Sequence, residues 1–359
     1  MYASAGIVSA TELFAEGVKV ATAVTATTDS EYLSVDRFRW RTYGGAGRAS
    51  FTQVSGDYPS SDFRYSLKAI CTTVNSSEDQ YDQAIGYHVE GYDMQRLGWG
   101  RSNPKNCTLS FWAKTSVAGT YCVSFRQGAA TRSQIKEYTL SANTWTKVKL
   151  TVTGDNDSTW LNSDFTTNGK GILIEWSLGK SNSKNTSTVN SWISGNKVAS
   201  NNQVRWIANL GATFSLTGVQ LEVGDTATSF EHRTYQDEFL RCCRYYQQLT
   251  GDDRGYNGGG STGSFKNSVI GIYNGVTDVR AVYYHIVPMR DSPTFTLLGA
   301  VSDFDLEPFD RAPSSIAMNR ASPFQTTLLI ADSGSATKGD ACLVTIDTAA
   351  GGLAFSAEL

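Results

Sequence analysis

A chain of 359 residues with 18% charged side chains, 11% aromatics and a net charge of −3 is too long for one ordinary domain, so two or three are expected. The aromatic content excludes a disordered chain, and the charge offers no basic footprint for nucleic acid. No stretch reaches the ~20 apolar residues of a membrane span, and no basic segment followed by an apolar run opens the sequence, so neither membrane insertion nor a signal peptide is expected.

Residues 1–34 stand apart. Ile7, Leu13, Phe14 and Val18, with Ala21 and Val24, form a sparse apolar stripe, which reads as a short helical or extended segment. Two readings stay open: packing on its own domain, or docking on a neighbouring protein, because a terminal apolar stripe needs a surface to bury against. From 35 to 233 the period becomes that of strands. Phe63, Tyr65, Leu67 and Ala69 alternate with polar residues, as do Leu109, Phe111 and Ala113, then Tyr121, Val123 and Phe125, then Val148, Leu150 and Val152, then Ile172, Ile174, Trp176 and Leu178. Half-buried strands separated by polar turn clusters at 154–158 and 179–188 predict a jelly-roll-like β-sandwich. Phe214 and Leu216 share one parity, and Val219, Leu221 and Val223 the other. The switch at Thr217-Gly218 predicts a β-bulge, in a strand expected to close the sandwich.

Residues 234–250 read as a short connecting helix. Thr234 with Asp237 three residues on forms a capping box, Tyr235, Phe239, Cys242 and Tyr246 fall at helical spacing, and Gly251 is the stop. Residues 251–359 resume the β pattern, with strands expected near 269–273, 279–287, 294–298, 328–331, 341–346 and 353–359, a second and smaller antiparallel β domain. The fold class is therefore all-β, without internal repeats or coiled-coil heptads.

Several segments carry a resemblance: GVQLEVGDTATSFEHR and the following C-x-RYY, LSFWAKTSVAGTY, NTWTKVKLTVTGD, VPMRDSPTFTLL and the closing AFSAEL. In this order along one chain they resemble bacteriophage tail-fibre proteins, over roughly residues 36–359. The resemblance implies a homotrimer in the virion, assembled in the host cytoplasm. It also implies attachment to other virion proteins through the N-terminal segment and recognition of a host cell-surface glycan. The sequence departs from a long fibre in having no extended shaft or coiled-coil pattern, so a tail fibre and a short tail appendage both stay open. A capsid fibre or decoration protein with an architectural role is the alternative, and a polysaccharide depolymerase a more distant one.

Candidate contact residues follow from chemistry. Arg254, Tyr256 and Asn257 place a cation, a ring and an amide in a Gly-rich loop. That loop lacks a G-K-[ST] ending and leads into a strand, so it is not a phosphate loop; it is either a plain hairpin loop or a contact loop. Tyr92 and Trp99, flanked by glycines, are candidate stacking rings, although core burial is the commoner fate of a Trp. The Asp155–Ser158 turn and Glu222 offer oxygen ligands suited to calcium, but an Asx-rich turn is ordinarily only a turn, and no metal or cofactor is assigned. Asp303, Asp305 and Glu307 share a strand face and read as a solvated acidic edge. The six cysteines form no C-x-x-C pair and read as buried thiols. With no G-x-S-x-G elbow and no placed His, an enzyme is not expected.

Overall fold

The computed structural model describes residues 6–10, 24–25, 30–32, 37–42, 47–76, 83–161, 167–251, 267–334, 336–348 and 350–358. They fall into two compact units, Met1–Glu238 and Phe239–Glu358, and both are all-β.

The first unit is a sandwich of two seven-stranded sheets. One runs Thr146–Val152, Cys107–Thr115, Thr213–Val223, Tyr65–Thr73, Arg48–Ser55, Val24–Thr25. The other runs Trp192–Ser194, Arg132–Leu140, Gly119–Gln127, Lys170–Ser177, Gln83–Glu90, Phe38–Thr42, Ser30–Tyr32. The alternating apolar residues of both sheets meet in one core. Aromatic pairs bridge it: Phe111 meets Trp176 edge-on with ring centroids 5.6 Å apart, Trp40 meets Phe51 at 5.3 Å, and Tyr121 meets Phe214 at 5.7 Å. Each such pair contributes about 0.5–1.5 kcal/mol beyond its area burial. Burial departs from simple alternation in Gln83–Glu90, which is buried on both faces. Part of the second sheet's outer side is covered where Cys122 and Ile135 pack with Ala199 and Val189.

The strand Thr213–Val223, expected to close the sandwich, lies inside its sheet. It pairs with Cys107–Thr115 on one side. On the other it pairs with Tyr65–Thr73 as far as Leu216 and then, from Val219, with Gly6–Ala10. The change of neighbour falls at a register shift between Thr217 and Gln220. Gly218 there has φ +59°, and a Cβ on it would come within 2.8 Å of the Phe63 ring. The parity switch is thus a real bulge at a position only glycine fills without strain. The strand Gly6–Ala10 also corrects the helical reading of the N-terminal stripe: Ile7 belongs to an extended segment that has a β partner. Leu13, Phe14 and Val18 lie outside the described residues.

The helix is shorter than expected, Tyr235–Cys243. It starts on the predicted cap: Asp237 N–H donates to the Thr234 hydroxyl (3.2 Å), which donates to the Asp237 carboxylate (2.9 Å). It ends early because Tyr246–Thr250 is a strand, paired with Gly352–Ser356. Tyr246 fits either period, and strand pairing decides.

In the second unit, Gly352–Ser356 is the middle strand of a three-stranded sheet, flanked by Tyr246–Thr250 and Thr294–Leu298. Arg290 fastens it by donating Nε–H to the Ala357 carbonyl (2.7 Å). A six-stranded sheet runs Phe304–Glu307, Ala341–Ile346, Ser268–Tyr273, Asp278–Tyr284, Gln325–Asp332, Pro313–Ala321. Both sheets feed one apolar core, where Phe355 stacks on Tyr283 at 4.6 Å.

Candidate functional site

The sequence segments that suggested a family do structural work. Gln220 and Glu222, on the outward face of Thr213–Val223, hold the turn that follows. Glu222 accepts from Thr228 N–H (3.1 Å) and hydroxyl (2.5 Å), and Gln220 Oε1 accepts from Glu231 N–H (2.8 Å). Phe230 then packs on Phe63 with centroids 5.3 Å apart. Glu222 is a turn clamp, so its carboxylate is committed to the protein, contrary to the calcium reading.

The Asp155 turn is committed as well. Arg132 donates to both Asp155 oxygens (2.9 and 2.8 Å), and Trp160 Nε1–H donates to one of them (2.8 Å). Trp99 is fully buried beside it. The left-handed Gly98 and Gly100 (φ +63° and +81°) turn the chain around it, its Nε1–H donates to the Lys105 carbonyl (2.7 Å), and it stands edge-on to Trp160 and Trp192 at 4.9 and 5.3 Å. Its ring is a core element and cannot stack on a ligand, which corrects its candidacy. Tyr92 follows the strand Gln83–Glu90, in the short helix Gly91–Met94, and is 55% exposed. Arg254, Tyr256 and Asn257 lie outside the described residues. Asp303 caps a local turn, accepting from Ala300 N–H (2.7 Å) and the Thr348 hydroxyl (2.8 Å). Asp305 is buried, against the expected solvated edge, and its carboxylate oxygen lies within 4.8 Å of those of Glu307 and Asp310. All six cysteines are buried and free, and burial pushes the Cys122 and Cys342 thiols up to about 11.

The second sheet's outer side carries a buried ion network. Glu175 takes Arg41 Nε at 2.7 Å and Arg126 Nη2 at 2.6 Å on one oxygen. Burial alone pushes this carboxyl up, but Arg126 and Arg41, with Arg39 nearby, outweigh it and hold the pKa down at about 2.

The open surface with binding chemistry is on the first sheet, and sequence reasoning missed it. Trp112 and Lys114 point outward from Cys107–Thr115, opposite in parity to the core residues Phe111 and Ala113. Lys147 lies directly across from Trp112 in the neighbouring strand, its ammonium 6.0 Å from the ring centroid. The Lys114 ammonium lies 5.2 Å from the centroid of Trp145. Asp57 ties the row down: Lys114 forms an ion pair with it, and Trp145 Nε1–H donates to it (3.2 Å). Trp112 and Trp145 are half-buried, and Lys147 and Lys149 are exposed. Two half-buried indoles, that of Trp145 held by Asp57, are flanked by ammonium groups and provide stacking area and charge at one place. The signal was present in the sequence: Trp112 shares parity with Lys114, out of phase with its apolar neighbours.

Neither a protein-family model nor a curated protein sequence matches the chain. Among solved structures, it is similar to the CBM22-1 xylan-binding domain from Paenibacillus barcinonensis, at 10% identity and a TM-score of 0.28, covering 58% of this chain and 99% of that one. It is also similar to the enzymatically active domain of tailspike protein 4 of bacteriophage CBA120, at 12% identity and a TM-score of 0.31, covering 61% of this chain and 21% of that one. A third is the family 11 carbohydrate-binding module of a Clostridium thermocellum cellulosomal cellulase, at 12% identity and a TM-score of 0.26, covering 58% and 99%. Among the described residues no helix is long and apolar enough to cross a membrane.

Proposed function

We propose that this chain is a bacteriophage virion protein, a tail fibre or short tail appendage, that binds a host-surface glycan without turning it over. The observation that supports it is the row Trp112, Lys147, Trp145 and Lys114 on the outer side of the sandwich. A sugar ring presents an apolar C–H face that an indole covers, and its hydroxyl or acidic groups take hydrogen bonds and charge from lysine. Tyr92, exposed at 55%, and the loop residues Arg254, Tyr256 and Asn257 supply further contacts in this reading. The homotrimer and the docking of the N-terminal segment on other virion proteins come from the family resemblance.

The test is adsorption. The purified chain competes with phage for host cells or binds extracted surface polysaccharide, and releases no reducing ends from it. Trp112→Ala and Trp145→Ala each weaken binding about tenfold, the effect of losing roughly 1.4 kcal/mol of stacking, while leaving thermal unfolding cooperative. Full binding by both variants removes the proposed surface, and release of reducing ends removes the non-enzymatic reading.

A further inference from the structure

The outer side of the first sheet carries more charge than its two indoles need, and register places it. Lys147 and Lys149 lie two residues apart on the edge strand, about 7 Å along it. Lys149 is across from Ser110, and Lys114 is across from Ser215. Ser215 is in turn across from Lys68, three strands in from the edge, about 14 Å away. Of these four lysines only Lys114 has a carboxylate partner, Asp57. Among the described residues no carboxylate lies within ion-pair distance of Lys68, Lys147 or Lys149. A positive patch therefore stands on a chain whose net charge is −3.

We infer that the glycan taken by this surface is an anionic polysaccharide. Its acidic groups sit on Lys68, Lys147 and Lys149, and its sugar rings cover Trp112 and Trp145. The inference rests on the glycan reading above and names the class of glycan. Hydrogen-bond character selects that class. The outward carboxylate and amide of these four strands, Glu222 and Gln220, are held by the turn at Thr228 and Glu231. The Thr217 hydroxyl donates to the Tyr65 carbonyl (2.9 Å), and Ser110 and Ser215 are buried. Asp57 is engaged by Lys114 and Trp145. Beside the indoles the strands thus offer ammonium groups, which donate and cannot accept. A neutral sugar hydroxyl both donates and accepts, and leaves its proton unmatched on such a surface. An ionised carboxylate, sulfate or phosphate only accepts, and takes a charge-assisted bond from each ammonium.

Affinity electrophoresis of the full chain in polygalacturonate, dextran sulfate or neutral dextran, over a series of salt concentrations, tests it. The chain is retarded by an anionic polymer and not by dextran. Retardation by polygalacturonate alone assigns carboxylates, and by dextran sulfate alone assigns a tetrahedral anion. Lys147→Gln with Lys149→Gln, at exposed positions that leave circular dichroism unchanged, lowers affinity about tenfold at low salt, the effect of two exposed charge contacts. The difference shrinks toward 1 M salt, where the screening length is about 3 Å. Lys147→Arg with Lys149→Arg keeps the charge and the binding. Asp57→Asn adds one net positive charge to the row and tightens binding, while Lys338→Gln on the second unit changes nothing. Binding to dextran that Trp112→Ala weakens, and that neither salt nor the lysine variants move, overturns the anionic assignment and leaves the glycan reading standing. Binding to oligothymidylate through the same residues, with no polysaccharide bound, removes both. Retardation by none of the polymers overturns the anionic assignment, and the glycan reading then stands or falls on adsorption to host cells.

Discussion

Glu222 and Thr228 are joined twice, the carboxylate accepting from both the backbone N–H (3.1 Å) and the hydroxyl (2.5 Å) of the threonine. Through this pair the sandwich strand Thr213–Val223 fixes the path of the chain that leaves it. Thr228→Val removes the hydroxyl while keeping the shape. It is expected to lower stability by about 1.5–3 kcal/mol, the range for a hydrogen bond to a charged group. Urea unfolding of the full chain measures it, and the change is to appear in the midpoint of the transition with an unchanged slope.

Glu175 makes the first unit acid-sensitive. Its carboxyl is held at about 2 in the folded protein against an ordinary value of 4.5. A depressed folded pKa means that its contribution is complete above pH 4.5 and is lost as pH falls toward 2. The contribution is roughly 3 kcal/mol by linkage. Glu175→Gln leaves Arg41 and Arg126 without their shared anion and costs about 3–5 kcal/mol at neutral pH. It also flattens the acid limb of a pH–stability curve between 4.5 and 2. An unchanged acid limb in that variant contradicts the assignment.

At the alkaline end the sign reverses. Tyr121 and Tyr283 are raised to about 12 chiefly by burial, and Tyr273 to about 12 by burial and its hydrogen bond to Asp332. A raised phenol pKa leaves stability intact below pH 10 and removes it as pH climbs toward 12, by up to about 3 kcal/mol per tyrosine. The phenolate absorbance of these three tyrosines is therefore expected to appear together with loss of β circular dichroism, as the late part of the protein's tyrosine absorbance change.

Gly218→Ala tests the bulge. The left-handed φ of +59° and the Phe63 ring 2.8 Å from a new Cβ both oppose it, so a loss of roughly 2 kcal/mol or more is expected. Gly56→Ala is the control. It also has positive φ, but a Cβ there meets nothing within 4 Å, so it carries only the conformational part of the cost. A Gly218→Ala loss no larger than the control's removes the steric argument.

Much of this fold is legible from period alone. Residues 294–298 and 341–346 were expected as strands and are Thr294–Leu298 and Ala341–Ile346. The bulge at Thr217-Gly218 shows as a change of parity, because a side chain's face is a local property of the chain. Pairing is not local. Nothing near Ile7 reveals that Gly6–Ala10 lies against Thr213–Val223, and Tyr246 satisfies helical spacing while belonging to a strand. The candidate site fared worse for the same reason. The parity of Trp112 says that it opposes Phe111, but only the register with Lys147 and the position of Asp57 show that its face is outward and furnished with lysines. Trp99, an equally plausible ring on sequence, is enclosed by Trp160 and Trp192.

The neighbours of Thr213–Val223 come from far earlier in the chain: Cys107–Thr115, Tyr65–Thr73 and Gly6–Ala10. On a ribosome those strands emerge first and wait with their pairing edges bare until the strand that joins them is made. Their loop-closure entropy is met late, so the sandwich is expected to fold slowly for its size. Meanwhile each bare edge is a template for pairing with a neighbouring nascent chain. Yield of soluble protein should therefore depend on translation rate and temperature more than on the stability of the finished fold, with slow, cool expression favouring the correct partner for each edge.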